Sequence, residues 1–149
     1  MMWTNPNFQT GVHEISHLSG AEHFGATKMS IVIRADGTGL ARWKWPHKHD
    51  HRINIIVAAA GALAEQEFLK IFKPEWAAAD EKDIRRHRRL GDFTHEDVWT
   101  FRAEALEIVR SKREYILKTA RMMTSAGEYF FDVPEISDSI IVYVKPKGQ

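Results

Sequence analysis

Apolar positions along this chain fall into several distinct periods. Val12, Ile15 and Leu18, with His17 beside them, keep the three-to-four spacing of a helix face, which predicts a first helix from about Phe8 to His23. The period then changes to two. Met29, Ile31 and Ile33 alternate within a strand over Lys28 to Arg34, and Ala35-Asp36-Gly37-Thr38-Gly39 reads as a turn into a second strand, Leu40 to Trp45. Pro46 opens a polar loop, His47-Lys48-His49-Asp50-His51, ahead of a long apolar helix from about Ile53 to Phe72, the expected buried centre of the domain. Pro74 is expected to end it.

A connector over Glu75 to Ala79 is predicted next, then a charged helix from about Asp80 to Leu90. Gly91-Asp92-Phe93-Thr94 breaks the pattern, with Thr94 placed to cap a final helix from His95 to about Ser125 whose inward face is Val98, Phe101, Ala105, Ile108, Ile116 and Ala120. A tail strand, Ser139 to Val144, follows Pro134. The pattern contains no repeat, low-complexity tract or linker, so it describes one domain, residues 1–149, of mainly α-helical α+β class.

Composition narrows the chemistry. The 149 residues have 44% hydrophobic content, enough for one real core, and a formal net charge of +1, which gives no global pull toward nucleic acid. Arg85-Arg86-His87-Arg88-Arg89 is the densest basic run, but helical winding spreads its charges over several faces, so no nucleic-acid partner is expected. With no cysteine, disulfides and thiolate ligands are excluded, and metal ligands must come from His, Asp and Glu. The polar first ten residues carry no signal-peptide pattern, and the apolar run Ile55 to Leu63 is too short to span a bilayer. A cytoplasmic protein without membrane attachment is the expectation.

The chemistry is concentrated in His13-Glu14-Ile15-Ser16-His17. Residues four apart on a helix sit about 5–6 Å apart on one face, so His13 and His17 can grip one ion while Glu14 stands beside it. Neutral imidazoles suit Zn²⁺, which lowers the pKa of a bound water to roughly 7, and Glu14 is placed to take the proton and return it to a leaving amine. Elsewhere the reading stays open. His47, His49 and His51 are either a loose second metal cluster or a solvated loop. Glu65, within the apolar helix, is either a further ligand or a buried hydrogen-bond partner of one. Trp43 and Trp45 belong to a strand that packs an aromatic face on the core or offers an edge for an extended peptide.

Three segments together resemble the peptidase domain of the FtsH-type ATP-dependent zinc proteases: Gly11-Val12-His13-Glu14-Ile15-Ser16-His17, Lys28-Met29-Ser30-Ile31-Val32-Ile33-Arg34 with Gly39-Leu40, and Gly61-Ala62-Leu63-Ala64-Glu65. In order and spacing the likeness runs from Gly11 to about Leu90. It implies a zincin-like metallopeptidase domain that binds Zn²⁺ and hydrolyses peptide bonds with Glu14 as general base. It also implies an aspartate as third ligand, at the start of a helix beyond the buried one. Asp83, followed by Ile84, is the residue this points to, with Asp80 as its rival. The chain departs from the family in lacking a phosphate-binding loop, in having Ala35-Asp36-Gly37 where the family has Pro-Arg-Gly, and in having Ser16 where glycine is usual. The implied substrate is therefore a flexible or unfolded polypeptide, with a separate ATPase partner or a homo-oligomer left open. The competing expectation is a catalytically inactive, metal-stabilised interaction domain, closed by a fourth ligand such as Glu65.

Overall fold

The computed structural model describes residues 6–33, 37–46, 48, 50–71, 74–126, 130–132 and 141–144. Its helices are α1 (Pro6–His23), α2 (His51–Ala64), α3 (Pro74–Leu90), α4 (His95–Ser111) and α5 (Arg113–Ala126), and its strands are β1 (Thr27–Ile33), β2 (Gly39–Lys44), β3 (Phe130–Asp132) and β4 (Ile141–Val144). The class is α+β and mainly helical. Among the described residues no helix is long and apolar enough to cross a membrane.

The buried centre is α1, where the hydrophobic pattern pointed to α2. Every residue from Phe8 to Ala21 is buried, whereas α2 leaves its first turn and Ala58, Ala62 and Leu63 partly open. Packing explains this, because α1 is enclosed by α2, α5, β1 and β2. Phe8, Val12, Ile15 and Leu18 meet Met29, Ile31 and Ile33 of β1 and Ile116, Ala120 and Met123 of α5 in one apolar cluster. The polar residues of α1 mask that burial in sequence. Several are paired inside the protein: Ser16 donates to the Val12 carbonyl at 2.6 Å, and Thr10 donates to the Gly37 carbonyl. A second cluster sets Ile55, Ile56 and Ala59 of α2 against Ile84 of α3 and Val98, Phe101, Ala105 and Ile108 of α4.

The hairpin forms as the alternation predicts, β1 antiparallel to β2 with Ile31 opposite Ala41 and Ile33 opposite Gly39. It belongs to a larger sheet. β4 lies parallel to β1 on its other side and β3 pairs with β4, giving the order β2-β1-β4-β3 and leaving β2 at an edge.

Helix ends depart from expectation in three places. The α2 ladder widens at Glu65–Leu69 into a single π turn and stops at Lys70, whose φ of 57° is left-handed, so the apolar helix ends before Pro74. Pro74 instead starts α3, a position where its missing N–H costs nothing, and the expected connector Glu75 to Ala79 is helical. The last helix divides at Lys112 into α4 and α5. Thr94 caps α4 as expected, in a reciprocal capping box with Asp97.

Candidate metal centre

On α1, His13 and His17 stand one turn apart with their Nε2 atoms 3.0 Å from each other. A third atom completes the triangle, Oδ2 of Asp80 on α3, 2.9 Å from His13 Nε2 and 3.2 Å from His17 Nε2. Metal bonds of about 2.0–2.1 Å put tetrahedral ligand atoms roughly 3.3 Å apart, so these three atoms have the spacing of one face of such a site.

Each histidine is oriented from behind. His17 Nδ1 donates to the Val57 carbonyl of α2 at 2.7 Å, and His13 Nδ1 donates to the Glu65 carboxylate at the start of the π turn. A carbonyl only accepts, so in the neutral ring the proton sits on Nδ1 and the Nε2 lone pair faces the centre. Glu65 thus stands behind His13, and the alternative of Glu65 as a ligand to the same ion does not fit its place on the far nitrogen.

Two glycines make room. A Cβ on Gly61 of α2 would lie 2.7 Å from both His13 Nε2 and His17 Nε2, so only glycine lets the imidazoles lie against that helix. A Cβ on Gly39 of β2 would meet Thr10 Cγ2 at 2.5 Å and Glu14 Cγ at 3.0 Å. Glu14 passes under the strand at that point. Its Oε1 is 4.0 Å from His13 Nε2, further than Asp80, which suits a base beside an ion better than a ligand to it.

Asp83 does not take the place the resemblance pointed to. The inward stripe of α3 carries Ala77 and Ile84, both buried, and Asp80 lies three residues after one and four before the other. Asp83 is turned away from that stripe and is exposed, although it lines the same cleft. The apolar neighbour that favoured Asp83 in sequence therefore serves Asp80, one turn earlier.

Three lone-pair-bearing atoms this close require positive charge between them. Burial by itself would lower the His13 pKa, but hydrogen bonds to Asp80 and Glu65 outweigh it and push the value from 6.5 up to about 10. His17 is likewise raised against its burial, chiefly by Asp80, and Asp80 is held well below the usual carboxylate range by the two histidines despite its own desolvation. Burial raises Glu14, with both histidines opposing it. A buried His13-Glu14-His17 group with Asp80 against it can hold a metal ion.

The centre opens on a cleft of about 330 Å³ lined by Gly39, Leu40, Ala41 and Trp43 of β2 on one side and by Asp80, Asp83 and His87 of α3 on the other. Sequence reasoning missed His87, which meets His51 across the start of α2. Its place within a basic run concealed it. His47 and His49, the rest of the histidine-rich loop, lie outside the described residues. Comparison of the chain with protein-family models, curated proteins and solved structures returns no match.

Proposed function

We propose that this chain is a zinc-dependent metallopeptidase of zincin-like design, related in plan to the FtsH-type peptidase domain. The observation that carries the reading is the triangle of His13 Nε2, His17 Nε2 and Asp80 Oδ2, with edges of 2.9 to 3.2 Å and Glu14 beside it. The donor set fits Zn²⁺: two imidazole nitrogens and one carboxylate oxygen, three ligands with a position left for solvent. Bound there, the ion would supply Lewis acidity and a water acidic enough to react near neutral pH.

The chain's own residues do the rest. Glu14, its pKa raised by burial, accepts the proton of the attacking water and hands it to the departing amine nitrogen. Val57 and Glu65 hold the two imidazoles in the tautomer that faces the centre. β2, the sheet edge along the cleft among the described residues, is where an extended polypeptide can add as a further strand, bringing a peptide bond alongside Glu14. A folded substrate cannot thread such an edge, so the proposed substrate is a flexible or unfolded segment, with unfolding left to a separate ATPase if folded proteins are degraded.

The test is Glu14→Gln assayed on an unfolded polypeptide such as casein. Zinc content should stay near one ion per site while cleavage falls by at least a hundredfold, the range expected for loss of a general base. Wild-type cleavage in that variant, or wild-type protein that binds no zinc at His13 and His17, rules the mechanism out.

A further inference from the structure

A second group of metal-ligating side chains lies on the same cleft, away from the triangle. His51 in the first turn of α2 and His87 in the last turn of α3 bring their Nδ1 atoms to 2.9 Å, with the rings tilted by 38°. Both are only partly buried. That 2.9 Å separation is close to the edge between adjacent nitrogen ligands of a first-row metal ion, and imidazole is the side chain such ions favour.

We propose that His51 and His87 form a second metal site, taking a borderline divalent ion such as Zn²⁺ or Ni²⁺, with solvent in the remaining positions. The site is weaker than the first because only two nitrogens are in place and both are partly solvated. It also has a mechanical consequence. His87 follows Asp80 by two turns on one stripe of α3, so an ion here ties the first turn of α2 to the face of α3 that carries Asp80.

The experiment is a Zn²⁺ titration of metal-free protein, with bound metal counted by elemental analysis after equilibrium dialysis. Wild type should take two ions per chain. The weaker should disappear in His51→Ala and in His87→Ala. His87→Gln, which keeps the side-chain bulk, serves as a second variant should His87→Ala unfold. The double variant His13→Ala/His17→Ala should keep the weaker ion, so failure of the hydrolase reading leaves this test intact. Uptake by wild type of no ion other than one lost in His13→Ala/His17→Ala overturns the inference. So does a second ion that survives His87→Ala but not His51→Ala, because it then belongs to the histidine-rich loop.

Discussion

At the scale of single residues, the site depends on side chains that never touch the proposed ion. Glu65 accepts from His13 Nδ1 and fixes which nitrogen faces the centre. Removing such an outer partner usually costs ten- to a hundredfold in metal affinity. Glu65→Ala should therefore weaken Zn²⁺ binding by about that factor, and Glu65→Gln, which can still accept the hydrogen bond, should recover most of it. Equal affinity across all three proteins in a competitive chelator titration would remove the positioning role. Gly61→Ala is a sharper probe. Alanine is favoured over glycine inside a helix by up to about 1 kcal/mol, so the helical circular dichroism should persist. Its methyl would nonetheless sit 2.7 Å from both ligand nitrogens, and zinc affinity should fall at least tenfold. Of these residues, His13, Glu14 and His17 were legible because helical spacing alone puts them on one face. Glu65 was visible as a buried acid with two readings, which only the path of α2 past α1 could separate. Asp80 was the less favoured of two aspartates because local apolar neighbours do not reveal which face of α3 turns inward.

At the scale of elements, periodicity locates the hairpin and most of each helix, and Thr94 locates the start of α4. Thr94 and Asp97 exchange hydrogen bonds with each other's backbone N–H, whereas Asp50, read in sequence as part of a polar loop, accepts from Ile53 N at 2.7 Å and starts α2 at His51. Thr94→Ala should cost about 1 kcal/mol, read as a lower denaturation midpoint at unchanged slope. No change in midpoint would mean that α4 is held by its buried face alone. What periodicity could not show was anything set by tertiary contact. The π turn at Glu65–Leu69 continues the apolar run without a local signal, yet its first residue is the one that reaches His13. The burial of α1 from Phe8 to Ala21 is hidden in sequence because polar residues such as Thr10, His13, Ser16 and His17 are bonded inside the protein. Strand β3 and its pairing with β4 are set by the sheet they join and by no local pattern.

At the scale of the whole molecule, the centre joins parts of the chain that are distant in sequence: α1 supplies two imidazoles, α2 their supports, and α3 the carboxylate. Without metal, protons hold this junction together, and the sign of the pH dependence follows from the shifts. His13 has its pKa raised from 6.5 to about 10, so its contribution to stability is complete below 6.5 and is lost as pH rises through about 10. His17 is raised and acts in the same direction. Asp80 is lowered from 3.8, so its contribution is complete above that value and is lost only as pH falls below it. Metal-free protein should thus be most stable between these limits and should melt at progressively lower temperature as pH rises from 6.5 toward 10. Zinc bound at the proposed centre would displace the same protons, so its apparent affinity should rise over that window. At a zinc concentration one hundred times the dissociation constant the gain is about 2.7 kcal/mol, or roughly 5–10 °C in melting temperature for a domain of this size. Melting curves with chelator and with a fixed zinc excess, between pH 6.5 and about 8.5, test the coupling. The two curves should diverge as pH rises. If they run parallel, or converge, the protons and the ion do not compete for the same three ligand atoms, and His13, His17 and Asp80 are not the metal site.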